Sequence, residues 1–244
     1  MGEDVGQSNP YLQAIYDGIR QSSLDFLVNN NFSVDPELRN VHDDRRGLTL
    51  LIRPPAHVQD RIQAFLQRLR AVVPGQYIYP RSDLHITVLS IISCYPAFKL
   101  ESINQAAYCK MVREALREQT AFDIHLRGLV FSAGAVMIQG LYSQGTLDTV
   151  RNRLRQLFKN SSLQQSIDRR YVLETAHMTI MRYHTIPANK QQLLTFLESA
   201  KQENFGHFRV RDLHLVSNDW YQRQAHTQEI DVFALSKQPT KDYA

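Results

Sequence analysis

Between residues 10 and 29 the apolar positions Leu12, Ile15, Tyr16, Ile19, Leu24 and Leu27 recur at near-helical spacing. That spacing predicts one or two amphipathic helices, ended at Asn29-Asn30-Asn31. The stretch from Ser33 to Arg46 holds Pro36 and the charged run His42 to Arg46 and reads as a linker, so residues 1–44 form an N-terminal helical extension and linker. From Gly47 the pattern alternates between short β-type runs and helical stripes. Leu48 to Ile52 is a strand stopped by Pro54-Pro55, and Val58, Ile62, Phe65, Leu66, Leu69 and Val73 mark a helix ended by Pro74-Gly75. A strand over residues 84 to 89, a helix carrying Ile103, Ala107, Met111, Ala115 and Leu116, and a strand over residues 122 to 131 follow.

The same order then restarts. After the turn at Ser132-Ala133-Gly134 come a strand over residues 135 to 138, a helix marked by Leu147, Val150, Leu154, Leu157 and Phe158, and a strand over residues 176 to 181. A helix with Leu193, Leu194, Leu197 and Ala200, a strand over residues 208 to 216 and a last strand over residues 229 to 235 complete the pattern. Strand, helix, strand, helix, strand thus occurs twice, which predicts an α+β fold. Residues 45–244 form a single bilobal, duplicated domain of two mostly antiparallel sheets, with helices packed outside and a central cleft. Lobe one is expected over about 45–132 and lobe two over about 133–238.

Composition bounds the chemistry. The 244 residues are 43% hydrophobic and carry 28 Lys plus Arg against 24 Asp plus Glu, a net charge of +4. That excludes disorder, and the surplus is smaller than a duplex-DNA binder usually shows. The first thirty residues lack a secretory pattern, nowhere do about 18 apolar residues run together, and Gly6 stands where a myristoylation signal needs Ser or Thr. Cys94 and Cys109 are too few and scattered for a disulfide framework or a zinc site with paired cysteines, so free thiols, a cytoplasmic location and no membrane partner are expected.

The repeat gains chemical meaning from one tripeptide. His85-Ile86-Thr87 and His177-Met178-Thr179 stand on the equivalent strand of each half, whereas about 0.4 His-x-Thr tripeptides are expected by chance at this composition. In a strand, residues i and i+2 share a face, so each half presents an imidazole beside a hydroxyl while Ile86, Val88, Met178 and Ile180 point the other way. Facing halves would bring two such pairs to one cleft. One imidazole can then take a proton and the other give one near neutral pH, while Thr87 and Thr179 donate to phosphate oxygens that gain charge in the transition state. No zinc-type ligand set accompanies either histidine, so neither a metal nor a cofactor is expected.

His85-Ile86-Thr87-Val88 and His177-Met178-Thr179-Ile180, with the duplicated architecture from about Arg45 to Leu235, resemble the 2H phosphoesterase superfamily. The resemblance implies metal-independent phosphodiester chemistry on RNA ends or small nucleotides: opening of 2′,3′-cyclic phosphates or cleavage of 2′,5′ linkages, with ligation as a possible reverse reaction. It further favours His177 as base and His85 as acid. A non-catalytic module binding nucleotides or RNA ends in the same cleft is the alternative. Arg182 resembles a phosphate-holding basic residue that some members carry after the second motif, although strict alternation puts it opposite His177 unless the strand bends. Tyr79, Arg81 and Tyr142 are further candidates to line the cleft and contact a nucleotide. The cationic run Arg151, Arg153, Arg155 and Lys159 reads as a solvated helix face. A monomer without a protein partner is expected.

Overall fold

In the computed structural model, residues 9–29 and 31–236 are described, the side chains of residues 25–28 aside. Helix α1 (Pro10–Val28) realises the first amphipathic stripe as one helix. Strand β1 (Arg46–Ile52) stops at Pro54-Pro55, since proline brings no amide to a ladder. Pro55 then leads into α2 (Ala56–Val72), which buries Val58, Ile62, Phe65, Leu66 and Leu69. A two-residue strand β2 (Tyr77–Ile78) precedes β3 (Ile86–Tyr95). Helix α3 (Gln105–Ala115) is capped by Asn104, whose side chain accepts from the Ala107 amide at 3.2 Å. Strands β4 (Phe122–Phe131) and β5 (Ala135–Leu141) form a hairpin, followed by α4 (Leu147–Lys159) and β6 (Met178–Arg182). Helix α5 (Lys190–Ser199), capped by Asn189, leads to β7 (Asn204–Val210), β8 (Asp212–Asp219) and β9 (Gln228–Ala234).

The strands form two antiparallel sheets, one in the order β3-β1-β8-β9 and one in the order β2-β6-β5-β4-β7. Helices α1 and α2 pack on the five-stranded sheet, and α3 and α4 on the four-stranded one. This is the expected α+β class. The sheets do not coincide with the two sequence halves, however. The five-stranded sheet takes β2 and β4 from the first half, and the four-stranded sheet takes β8 and β9 from the end of the chain. What reads as one strand over residues 208 to 216 is two, β7 and β8, which change sheets at Arg211.

The extension is built into the second sheet. Helix α1 packs on β4 and β5, and Tyr16 is fully buried. The Tyr16 hydroxyl donates to the Gly140 carbonyl at 3.2 Å and accepts from the Gly140 amide at 3.1 Å. Position 140 must be glycine, because a Cβ there would overlap the carbonyl oxygen of Ala176. Residues 33 to 38 then tie both sheets together. The Ser33 amide donates to Ala133 O at 2.8 Å and the Asp35 amide to Tyr183 O at 3.1 Å. The Tyr221 hydroxyl donates to Asp35 Oδ2 at 3.0 Å, and Arg223 Nη2 donates to Leu38 O at 2.6 Å. Residues 1–8 of the expected extension, Asn30 and residues 237–244 lie outside the described residues.

Tyr16→Phe is therefore expected to cost about 1–3 kcal/mol, since it strips the buried Gly140 amide of its acceptor. Urea unfolding of the variant against the wild type measures it, and equal midpoints would show that the helix contributes only apolar contact.

Candidate active site

Both histidines sit one residue before a strand begins, where the backbone enters the ladder. His85 precedes β3 and His177 precedes β6. His85 is 9% exposed, and His177, Thr87 and Thr179 are half-buried. In the ladders Thr87 stands across from Leu51 and Thr179 across from Met137. Strands β3 and β6 approach each other, His85 acts electrostatically on His177, and Arg182 acts on both imidazoles. The structure thus brings the two His-x-Thr pairs to one site.

Each ring is held at Nδ1. His85 Nδ1 lies 2.7 Å from the Asp83 carbonyl oxygen, which can only accept, so Nδ1 carries the proton and Nε2 is left for chemistry. His177 Nδ1 lies 2.7 Å from the Thr175 hydroxyl. The hydroxyls of Thr87 and Thr179 make no hydrogen bond to a described residue, which leaves them available to an incoming group.

Burial is the main reason that both imidazoles titrate far below an ordinary histidine, each down to about 4. Their surroundings differ beyond that. For His85 the Asp83 carbonyl and the Asp219 carboxylate favour the charged form, against Arg53 and Arg182. For His177 every further influence, from Arg151, His85 and Arg182, opposes it.

Arg182 reaches the site through a β-bulge. Val136 pairs with Met181 but Met137 pairs with Thr179, so Ile180 is an extra residue in β6. One inserted residue reverses the alternation beyond it, and Arg182 acts on both histidines. Its Nε donates to the Tyr79 hydroxyl at 3.0 Å, and its guanidinium stands 5.8 Å from the Tyr221 ring centre.

The polar groups of the other three candidates are engaged by other residues. Tyr79 is buried behind Arg182, with its ring packed edge-on against Tyr77 at 5.2 Å, so it orients the arginine and offers no ring face for stacking. Arg81 turns to α2, where it pairs with Asp60 and donates to Gln59 Oε1 at 2.8 Å. Tyr142 is buried and its hydroxyl is shared among Asp148 at 2.7 Å, the Glu174 carbonyl at 3.0 Å and Arg151 at 3.5 Å.

Two arginines near the site were not legible as such. Continuing the β1–β3 register, in which Leu51 pairs with Thr87 and Ile52 with Ile86, puts Arg53 across from His85. The usable signal was a cation directly after the strand that neighbours the first motif. Arg151 belongs to no solvated face: it is 1% exposed, on the same side of α4 as Leu147, Val150, Leu154 and Phe158. Its place on the apolar stripe, one residue after Val150 and three before Leu154, was the available clue. Among the described residues no three His, Cys, Asp or Glu side chains converge as a metal-binding set. Cys94 and Cys109 are both free thiols. No helix among the described residues is long and apolar enough to cross a membrane.

The model of the 2′-5′ RNA ligase superfamily matches residues 58–221, more than half of the chain and inclusive of both motifs. The chain belongs to that superfamily. No curated protein matches it in sequence. Solved structures share the superfamily member's fold at low identity. E. coli LigT complexed with 3′-AMP is 18% identical with a TM-score of 0.51, over 79% of this chain and 99% of LigT. TT0787 of Thermus thermophilus is 15% identical with a TM-score of 0.54, over 80% and 100%. A conserved protein of Agrobacterium tumefaciens, ATU0111, is 15% identical with a TM-score of 0.55, over 87% and 97%. Coverage of the neighbours is nearly complete, so the uncovered part of this superfamily member is additional to their fold.

Proposed function

We propose that this superfamily member is a phosphodiesterase that opens 2′,3′-cyclic phosphates, or cleaves 2′,5′ linkages, of RNA ends or small nucleotides by acid–base catalysis between His85 and His177. The observation that carries the reading is the convergence of two Nδ1-anchored imidazoles and two unengaged threonine hydroxyls at one site, flanked by Arg182. The 3′-AMP held by E. coli LigT belongs to the same chemical class as the product of ring opening.

His177 acts as the base, because every charge around it favours the neutral ring. Its nitrogen takes a proton from water as the water oxygen attacks phosphorus. His85 acts as the acid, because the Asp83 carbonyl and Asp219 favour its imidazolium. It passes a proton to the ribose oxygen as the P–O bond to that oxygen breaks. Thr87 and Thr179 donate to the non-bridging oxygens, and Arg182 offsets their charge, the fixed-dipole arrangement that lowers barriers of this type.

The test is incubation with 2′,3′-cyclic nucleotides and short 2′,5′- and 3′,5′-linked oligoribonucleotides in EDTA. Product from the cyclic or 2′,5′ substrates is expected. Tight binding of nucleotides without any product would favour a binding module, and turnover that vanishes with EDTA would overturn the two-histidine mechanism.

A further inference from the structure

Arg151 spends every N–H of its guanidinium on groups next to the two motifs. Nε donates to Val88 O at 2.8 Å, and Nη2 donates to Thr87 O at 3.1 Å and to Thr175 O at 2.7 Å. Nη1 donates to Glu174 O at 2.9 Å and to the Tyr142 hydroxyl at 3.5 Å. Two acceptors are backbone carbonyls of the first-motif strand, one of them that of Thr87 itself. Two lie in the segment just ahead of His177, and Thr175 also holds the His177 ring through its hydroxyl.

None of the acceptors is a carboxylate. A guanidinium buried without an acidic partner is costly, and an apolar residue on this stripe would cover β3 without that penalty. What leucine or methionine cannot do is fix four carbonyls of two chain segments at once, a task that suits the rigid, planar donor fork of arginine.

We propose that Arg151 is a positioning residue that clamps the first-motif strand to the segment carrying His177 and so sets the placement of the two imidazoles relative to each other. The proposal rests on the acid–base reading of the site. Lysine retains the charge but offers a single point of donation, and methionine retains only the bulk, so the pair separates geometry from charge.

Arg151→Lys is expected to remain folded and to lose about 10²-fold in kcat on a 2′,3′-cyclic nucleotide with KM changed by less than about threefold, the scale of a misplacement near 1 Å. Arg151→Met is expected to lose at least as much. Histidine titration by NMR gives a readout independent of turnover. The groups acting on His177 are Arg151 from α4, Arg182 from the strand that follows it and His85. Removing the Arg151 charge should therefore raise the His177 titration midpoint in the methionine variant and leave it low in the lysine variant. Folded variants with wild-type kcat and unchanged imidazole resonances would overturn the proposal. So would a loss that only tracks the folded fraction in thermal melts. If Arg151→Met does not fold, the lysine variant decides. If the wild type itself turns over no cyclic or 2′,5′ substrate, the catalytic reading fails. The titrations then still judge the clamp, because imidazole resonances unchanged in both variants would overturn it.

Discussion

His177→Ala is expected to lower kcat on a 2′,3′-cyclic nucleotide by about 10²–10⁴-fold, and His85→Ala to lower it over the same range, with KM changed little. In the proposed mechanism each ring touches a moving proton only in the transition state, so its removal takes away little ground-state binding. The double variant should be little worse than the poorer single one, because the two transfers act as a unit. Thr87→Val and Thr179→Val each remove one hydroxyl that the proposed mechanism assigns to the phosphate, and losses of about 10²–10³-fold follow if that donor serves as an oxyanion contact. Steady-state kinetics on purified, folded variants checks all five. Retention of more than a tenth of wild-type kcat in either histidine variant would sink the acid–base assignment.

The two histidines were legible because chemistry and periodicity coincide. His85 and Thr87, and His177 and Thr179, are two apart on apolar strands at matching places in a repeated order of elements, and that information is local. Arg182 was only half legible. Its sequence distance from His177 predicts the wrong face, and the bulge at Ile180 that corrects it exists only in the pairing of β6 with β5. The burial of Arg151 was hidden for a different reason. An arginine beside an apolar stripe is usually solvated, and nothing in α4 shows that carbonyls of β3 and of residues 174 and 175 accept from it. The interleaving of the sheets was invisible in the same way, since alternation says which face a residue takes and is silent on which strand lies next to it. The change of sheet at Arg211 did leave a trace. Val210 and Leu213 are both buried although three apart, a break of the period of two.

Acidification should destabilise the protein through the same two histidines. Each titrates near 4 in the folded chain and near 6.5 once unfolded. Between these values the unfolded chain binds protons that the native site refuses, so this contribution to stability is fully present above about pH 6.5 and is lost as the pH falls toward 4. The scale is up to about 3 kcal/mol for each ring. Urea unfolding at pH 7 and pH 4.5 of the wild type and of a His85→Gln/His177→Gln double variant isolates the effect, since carboxylates and the remaining histidines titrate in both. The wild type is expected to lose several kcal/mol more than the variant, and equal losses would refute the neutral state of the pair. A bound phosphate should act in the opposite direction, because an anion beside the rings favours the imidazolium. Binding of 3′-AMP should therefore tighten as the pH drops from 8 to 5.5 and take up a proton, measurable by calorimetry in buffers of different ionisation enthalpy. That uptake would also reconcile the low titration of the free site with the proposed mechanism, which needs His85 charged: the substrate's own phosphate would supply the field that protonates the acid.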